Sequence, residues 1–335
     1  MNEPPAVHTP DIEELARRFT LLGEVECRGY SPLYEELALG TAADPELLAM
    51  LAQARPGQRR PTLFLAAANF LGGIDPARGF ADFRAFCLEH RDDMLGVIET
   101  RATQTNEVRR SAVLLPAFVA AAQGRPIAIV EIGCSAGLNL LFDRYAYDYG
   151  DGRTLGTGQP LLPSEVDDAF VPSAFPDVVW RHGIDREPVD VRDDTAIAWL
   201  RACIWADQLD RIERFEEAVA TVRQDPPPIT QGDALDVLID IVGRAPADAH
   251  LVVFHSWVVA YFLRDDRRRL FALMDEIGHA RDLTWVAAES PHIIAPLGLA
   301  PEPRTVIGLI RYENGTQNAS LFGECHPHGA WLRPA

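Results

Sequence analysis

Apolar residues in the first third of the chain recur at helical spacing. Between residues 80 and 98, Phe83, Phe86, Met94 and Ile98 fall on such a pattern. Residues 11–15, 31–37 and 44–48 each begin with a capping residue or a proline, which is typical of a helix start. No alternation typical of strands is evident here. The pattern predicts an α-helical N-terminal or cap domain over residues 1–105.

Short apolar runs that alternate with helical patterns follow. Strands are predicted near residues 127–130, 178–185, 229–231, 251–254 and 283–288, and helices near 112–122, 194–222 and 264–280. Two further strands, at 306–311 and 319–323, flank a turn signal and form a predicted hairpin. Residues 143–177 are rich in loop signals and are interpreted as an insertion. The order predicts an α/β domain over residues 106–335.

Composition limits the possible partners. Hydrophobic residues make up 47% of the 335 positions, which is enough for a substantial core, and the net charge is −18. Such acidity disfavours broad binding to nucleic acids or to anionic membranes. No long uncharged apolar run occurs, and residues 1–11 are polar and proline-rich. We expect a soluble cytoplasmic protein with no membrane partner and with its five scattered cysteines reduced.

All 31 basic residues are arginine. The absence of lysine removes Schiff-base chemistry, pyridoxal phosphate attachment and a lysine general base from consideration. It also excludes a Walker phosphate loop, which requires lysine after its last glycine.

A glycine-rich turn follows the first predicted strand. Glu131 precedes Gly133, Ser135 and Gly137, which occupy every second position before an apolar, helix-compatible stretch. A strand that turns into a helix presents backbone N–H groups and a positive helix dipole to a ligand above the sheet. Position 140 is not glycine, so the dinucleotide fingerprint is incomplete. A turn that serves only packing is the alternative.

Several polar residues are predicted at the carboxyl ends of strands, where α/β proteins bind ligands. Asp185 closes the second strand, and Asp148 is the alternative acid for that position. Asp233 either contacts a ligand or caps a helix. His255 could act as a general base near neutral pH, or it could be structural. Trp257 could stack on a substrate or pack in the core.

A polar patch precedes the buried helix at residues 112–122. Asn106, Glu107 and Arg109 could overlook the glycine turn from there, although ordinary capping explains each of them as well. The histidines at 326 and 328 lack a second ligand cluster, so no metal site is expected.

Three segments match in order the motifs of the class I S-adenosylmethionine methyltransferases. They are residues 131–137, 185–188 and 232–234, and Ser135 stands where that family most often has a glycine. Over its whole length the chain also resembles an uncharacterised bacterial family, domain of unknown function 2332, in phrases such as TQTNEVRRS, EIGCSAGLNLLFDRY and CHPHGAW. The resemblance implies a Rossmann-like class I methyltransferase sheet of seven strands closed by an antiparallel hairpin, beside the α-helical N-terminal domain.

The resemblance also implies S-adenosylmethionine as cofactor and assigns roles to residues. The cofactor-binding set is Glu131, Gly133, Ser135, Gly137, Asn139, Asp185, Gly232, Asp233, Ala234 and Ser256. His255, Glu107 and Arg109 are the catalytic candidates, and Asn106 and Trp257 are the candidates for substrate binding.

The expected function is therefore an S-adenosylmethionine-dependent methyltransferase acting on a small molecule. One alternative is a protein that binds S-adenosylmethionine or a nucleotide without transfer. The other is an unrelated α/β enzyme, although the absence of G-x-S-x-G counts against a serine hydrolase. The substrate and the oligomeric state stay open.

Overall fold

The chain forms two compact units in the computed structural model, which describes residues 9–335. The first unit is Met1–Thr105 with Asp193–Glu213, and the second is Asn106–Arg192 with Arg214–Ala335. Most of the proline-rich segment at residues 1–11 lies outside the described residues. Along the chain, the division between the first two of these segments falls after residue 105. Residues 193–213, which the sequence interpretation placed in the second domain, group instead with the first unit.

The first unit is helical. Its helices are α1 (Thr9–Leu21), α2 (Pro32–Ala42), α3 (Pro45–Leu51), α4 (Pro61–Phe70), α5 (Phe80–Glu89), α6 (Arg91–Thr100) and α8 (Asp194–Ala202). Buried tryptophan explains why residues 193–213 belong here. The Trp199 ring lies edge-on to Phe70 at 5.5 Å, and its indole N–H donates to the Ala102 carbonyl at 2.9 Å. Trp205 stacks on Tyr34 at 5.1 Å.

The second unit is built on a mixed sheet. Its strands are β1 (Ile127–Ile132), β5 (Glu165–Val166), β6 (Val178–Asp185), β7 (Ile229–Gln231), β8 (His250–Ser256), β9 (Leu283–Glu289), β10 (Thr305–Glu313), β11 (Thr316–Cys325) and β12 (Trp331–Arg333). Their order is β5-β12-β11-β10-β9-β8-β1-β6-β7. Strands β7, β6, β1, β8 and β9 are parallel, and β10 and β11 form the antiparallel hairpin.

The expected count of seven strands is wrong, because the sheet of the described chain has nine. The two additional strands, β12 and β5, extend the edge beyond β11. They span only three and two residues. A run that short carries no periodicity in the sequence, so only its pairing partner reveals it.

Strand β1 lies where the order of the sheet reverses. From β1 the chain adds β6 and β7 on one side, and then β8 and β9 on the other. Ligands of open α/β sheets bind at the carboxyl ends of the strands beside such a reversal. The fold therefore points to the ends of β1, β6 and β8 as the location of a site.

Helices cover both faces of this sheet. On one face, Phe118 of α7 (Arg110–Ala122) meets Phe254 of β8 with ring centroids 4.8 Å apart. On the other, Phe271 of α11 (Arg264–Ala280) meets Trp285 of β9 at 5.5 Å, beside α10 (Ala234–Val242). The helix α9 (Leu209–Gln224) begins in the first unit and continues into the second. Successive side chains of β8 thus face different helices.

The segment interpreted as an insertion forms a small sheet of its own. Strands β2 (Ala146–Asp148), β3 (Thr154–Leu155) and β4 (Leu161–Pro163) pair in the order β3-β2-β4. Buried hydroxyl groups tie it to its surroundings, because Tyr145 donates to the Leu138 carbonyl at 2.6 Å and Tyr149 to the Ala112 carbonyl at 3.2 Å. The insertion is therefore anchored beside the glycine turn and α7.

Candidate functional site

The glycine turn after β1 places alternate residues in the left-handed region. Gly133 has φ +74°, Ser135 has φ +51° and Gly137 has φ +72°. For a residue with a Cβ atom this conformation costs about 1–2 kcal/mol. The spacing of small residues seen in the sequence therefore reflects the backbone of the turn, and Ser135 adopts the glycine-like conformation in spite of its side chain.

Protein neighbours occupy the space beside both glycines. A Cβ atom at Gly133 would lie 2.5 Å from Cγ2 of Val258, and one at Gly137 would lie 2.8 Å from Cγ of Pro227. These distances are far below ordinary van der Waals contact, so each position requires glycine for packing. The absence of side chains at Gly133 and Gly137 thus lets Val258 and Pro227 pack against the backbone of the turn.

Hydrogen bonds within the protein use several N–H groups of the turn. Gly133 donates to the Ile184 carbonyl at 2.8 Å, and Gly137 donates to the Cys134 carbonyl at 2.7 Å. The stretch that follows is a 3-10 helix, Leu138–Arg144, with non-helical dihedral angles at Leu141. The expectation of a helix whose dipole points at a ligand is therefore wrong. The turn is poorly suited to hold a phosphate group, which needs free N–H donors.

Asp185 closes β6 directly beside β1 and orders the turn. Its Oδ2 accepts the Ser135 N–H at 2.7 Å, and its Oδ1 accepts the Glu187 N–H at 2.8 Å. The alternative acid, Asp148, lies in the small sheet and accepts the Gly150 N–H at 2.9 Å. Of the two acids, Asp185 is the one at the carboxyl end of the strand next to β1.

Glu131 is a buried acid in β1. Its side chain faces α7, because Glu131 is opposite Phe254 in the parallel register and Phe254 packs on that helix. The residue is 3% exposed, and its Oε2 has no hydrogen-bond partner among residues 9–335. Burial is the main reason that the pKa of Glu131 lies well above its ordinary value, and the nearby Asp185 raises it further while Arg110 lowers it. An unsatisfied buried acceptor invites a hydrogen-bond donor.

Arg110 is a residue of this site that the sequence interpretation missed. It is buried in the first turn of α7, where its Nη1 donates to the Ser256 carbonyl at 3.2 Å and its Nε to the Pro327 carbonyl at 2.8 Å. It precedes Leu114 and Phe118 at helical spacing, both of which are fully buried. That spacing is the signal that would have placed Arg110 on the sheet-facing side.

Ser256 is the last residue of β8, and Trp257 follows it directly. The Ser256 hydroxyl and the Trp257 indole Nε1 are both buried, and neither has a hydrogen-bond partner within the part of the chain that the structure describes. Trp257 has φ +55°, which is unusual for a bulky residue. The end of β8 therefore offers two more unsatisfied polar atoms near the strand-order reversal.

The residues of the polar patch before α7 contact two different parts of the protein, the glycine turn and the C-terminal segment. Asn106 donates from Nδ2 to the Ser135 hydroxyl at 2.8 Å and so contacts the glycine turn. Glu107 accepts the Arg109 N–H at 3.1 Å and lies 3.8 Å from Nδ1 of His328, while Arg109 Nε donates to the His328 carbonyl at 2.9 Å. Asn106 thus contacts the turn, and Glu107 and Arg109 contact the C-terminal segment.

Asn139 lies just after the turn and accepts a hydrogen bond from the Ser111 hydroxyl at 2.8 Å. This contact connects the 3-10 helix to α7. The structure thus gives Asn139 a positioning contact within the protein.

The third predicted motif, residues 232–234, forms the N-terminal cap of α10. Asp233 accepts the Leu235 N–H at 3.0 Å as the N-cap of α10, and its other oxygen pairs with Arg186 at 2.5 Å. Gly232 donates to the Asp185 carbonyl at 2.9 Å, and Ala234 is buried as the first residue of the helix. The capping alternative is therefore realised, and a contact of Asp233 with a ligand stays a prediction.

His255 lies on the other face of the sheet from Glu131. It follows Phe254 in β8, so its side chain points towards α11, where its ring lies 5.6 Å from Trp285. It is 1% exposed, and its Nδ1 is 3.0 Å from Oε1 of Glu289, a fully buried acid that sequence analysis missed. The expectation that His255 and the patch of Asn106, Glu107 and Arg109 face one opening is wrong, because strand alternation separates His255 from the α7 face.

The described part of the chain lacks two other kinds of site. Within residues 9–335, no group of three or more His, Cys, Asp or Glu side chains is arranged to hold a metal ion. No helix of the described residues is long and apolar enough to cross a membrane.

Comparisons with known proteins identify the family of the chain. No curated protein matches the chain. Among solved structures, the X-ray structure of the sugar N-methyltransferase KedS8 from Streptoalloteichus sp ATCC 53650 is 11% identical, and the match covers 64% of this chain and 71% of that one. Its TM-score is 0.23, which is too low to carry an argument. The profile of the family DUF2332, described as "Uncharacterized protein conserved in bacteria", matches residues 16–333, and the chain belongs to that family.

Proposed function

We propose that this protein is an S-adenosylmethionine-dependent methyltransferase that acts on a small molecule. The observation that carries the proposal is the buried Glu131 carboxyl group near the end of β1, where the strand order reverses, because its Oε2 lacks a hydrogen-bond partner within residues 9–335. In this type of sheet, that position is where ligands bind.

The charge of the site favours a cationic ligand without phosphate groups. Glu131 and Asp185 lie close enough for one acid to raise the pKa of the other. A ligand that brings positive charge and N–H donors relieves this repulsion and satisfies the free oxygen of Glu131. The N–H groups of Gly133, Ser135 and Gly137 already donate hydrogen bonds to acceptors within the protein. S-adenosylmethionine fits these requirements, since it has a sulfonium and an ammonium group and no phosphate.

Residues on the α7 face of the sheet would hold this cofactor. Glu131 would accept from its amino group, and the remaining lone pairs of Asp185 would accept from ribose hydroxyls. The Ser256 hydroxyl and the Trp257 indole N–H would donate to its polar atoms, because both lack partners within residues 9–335. When bound, the cofactor supplies an electrophilic methyl group, and the protein contributes mainly by aligning a nucleophile with it.

Binding without methyl transfer is the second candidate. It is favoured by the position of His255, which the sheet separates from Glu131 and which is buried against Glu289. Glu107, the other candidate base, is also buried and contacts the C-terminal segment. A substrate nucleophile that needs no protein base, such as an amine in its neutral form, would reconcile this arrangement with transfer.

Calorimetric titration tests the cofactor assignment. We expect S-adenosylmethionine and S-adenosylhomocysteine to bind, and ATP and NAD to bind far more weakly because their phosphates meet two acids. Glu131→Gln should weaken S-adenosylmethionine binding about tenfold or more, since it removes a charged acceptor. Glu165→Gln is the matched control, because the Glu165 side chain is 86% exposed on the distant edge strand β5.

Tight binding of ATP in place of S-adenosylmethionine would refute the cofactor assignment. Transfer is then tested separately, by measuring S-adenosylhomocysteine released in the presence of candidate small amines, alcohols and sugars. A protein that binds the cofactor and releases no product with any of them would support the binding-only alternative.

A further inference from the structure

We infer that Glu289 is a positioning residue that fixes the turn at residues 257–259 and, through Val258, the glycine turn of the ligand site. The inference deepens the proposed function and rests on it for the ligand measurement. Glu289 itself faces α11 and is not placed to touch a ligand on the α7 face. Its effect on binding would pass through the protein.

Three hydrogen-bond contacts converge on one oxygen of Glu289. Its Oε1 accepts the N–H groups of Val258 and Val259, each at 2.8 Å, and lies 3.0 Å from Nδ1 of His255. Because two N–H groups already donate to this oxygen, the imidazole must carry its proton on Nδ1 and donate as well. The side chain is completely buried. A carboxylate so placed behaves as a fixed anchor for the backbone that follows β8.

The turn held by this anchor is strained. Trp257 has φ +55°, a conformation that bulky residues adopt only when the surroundings impose it. Its N–H donates to the Ala288 carbonyl at 2.9 Å, next to Glu289 in β9. The hydrogen bonds from residues 257–259 to the end of β9 therefore provide the restraint that the strained residue requires.

Val258 transmits this restraint to the ligand site. Its Cγ2 atom lies only 2.5 Å from the ideal position of a Cβ atom on Gly133, so the Val258 side chain packs directly against this glycine. The Gly133 N–H group also donates a hydrogen bond to the Ile184 carbonyl of β6. The start of the glycine turn is thus confined between β6 and the Val258 side chain. Release of Val258 would leave one side of the turn without support.

Two substitutions of Glu289 separate the acceptor role from mere filling of space. Glu289→Met retains approximate volume but removes the acceptor, so amide hydrogen exchange at Val258, Val259 and residues 133–137 should accelerate roughly tenfold or more. S-adenosylhomocysteine affinity should fall about tenfold. Glu289→Gln keeps a carbonyl oxygen for the two N–H groups and should restore both measurements to within about threefold of wild type.

A matched control is a buried contact between β8 and β9 at their opposite, amino-terminal ends. His250 at the start of β8 is 2.9 Å from the Thr284 hydroxyl in β9, and both side chains are buried. Thr284→Val removes this contact. It should lower stability without changing exchange at residues 133–137 or S-adenosylhomocysteine affinity.

A fourth variant keeps the inference testable if Glu289→Met does not fold. Val258→Ala leaves the backbone bonds to Glu289 but removes the contact with Gly133. Exchange should then rise at residues 133–137 and stay unchanged at the amides of Val258 and Val259.

Unchanged exchange at residues 133–137 in folded Glu289→Met, or in Val258→Ala if the former does not fold, would overturn the inference. A Glu289→Gln variant as impaired as Glu289→Met would also overturn it. If wild-type protein fails to bind S-adenosylhomocysteine, the proposed function fails, and the exchange measurements still decide the positioning role.

Discussion

Glu131 lies in an environment that carboxyl groups ordinarily avoid. Burial and the neighbouring Asp185 raise the pKa of its carboxyl group, and the partial compensation from Arg110 does not reverse this. An acid kept in such a place lowers the stability of the free protein whenever it is ionised. Functional sites commonly tolerate this kind of cost because the ligand later relieves it.

The stability of the free protein should therefore depend on pH through Glu131. The folded state holds this proton more tightly than the unfolded state, so the stabilisation is complete below the ordinary pKa of 4.5 and is lost as pH rises through the raised value. Glu131→Gln cannot titrate and should lose this decline. Urea denaturation at a series of pH values measures the effect. Parallel curves for variant and wild type would contradict it.

Ligand binding should show the opposite dependence on pH. A cationic ligand binds the ionised carboxylate, so affinity should rise by up to about tenfold per pH unit below the raised pKa, with release of one proton. Calorimetry of S-adenosylmethionine binding in two buffers of different ionisation enthalpy counts that proton. In Glu131→Gln the affinity should be lower and independent of pH over this range. Proton uptake in the wild type would contradict the prediction.

Gly137 illustrates how backbone conformation and packing combine at one residue. Gly137→Ala should destabilise the protein by about 1–2 kcal/mol for the left-handed conformation and by about 1–3 kcal/mol more for the contact with Pro227. Gly152→Ala is the control, because Gly152 has φ +77° and no neighbour within 4 Å of its ideal Cβ. Thermal or chemical unfolding of both variants measures the difference. Equal losses would show that packing against Pro227 contributes nothing.

At the scale of elements, α10 shows two roles competing for one carboxylate. Asp233→Ala should cost about 1 kcal/mol of stability, since it removes the N-cap of the helix. Asp233→Asn should retain most of that stability, because its amide oxygen still accepts and the lost pair with half-exposed Arg186 is worth little. Denaturation measures both variants. If Asp233→Asn remains as stable as wild type but binds S-adenosylmethionine more weakly, the predicted contact of Asp233 with the cofactor is supported.

The turn that leads out of β1 is the element where local patterns misled. Leu138, Leu140 and Phe142 are apolar and helix-compatible, yet the segment is a 3-10 helix broken at Leu141. Buried Tyr145 bonds to the Leu138 carbonyl at 2.6 Å, and Tyr147 bonds to the Phe142 carbonyl at 2.5 Å. These side-chain donors take carbonyl groups that a continuing α-helix would use, which is a tertiary effect on local structure.

At the scale of the whole molecule, each unit has its own core, and each can be weakened on its own. Trp199→Ala should cost about 3–5 kcal/mol and accelerate amide exchange in α4 of the first unit. Phe118→Ala should cost a similar amount and accelerate exchange in β8 of the second. Exchange measured peptide by peptide distinguishes the two. Faster exchange in β8 as the main effect of Trp199→Ala would contradict the assignment of residues 193–213 to the first unit.

Features encoded by neighbouring residues were predictable from the sequence. The helical N-terminal region, the main strands, the hairpin and the glycine-rich turn after β1 each leave a pattern within a few positions. Asp185 was also found in this way, because an acid that follows an apolar strand ends up at the carboxyl edge of the sheet.

Which of these residues contact each other depends on the tertiary structure. The roles of Arg110 and Glu289 depend on hydrogen-bond partners that are distant in the sequence. The short strands β5 and β12 are recognised only because they pair with neighbouring strands in the sheet. His255 lies outside the predicted site because alternate side chains of β8 point to opposite faces of the sheet. The physical reason is common to these cases: hydrophobic periodicity determines what a segment becomes, whereas long-range packing and hydrogen bonding determine what each side chain faces.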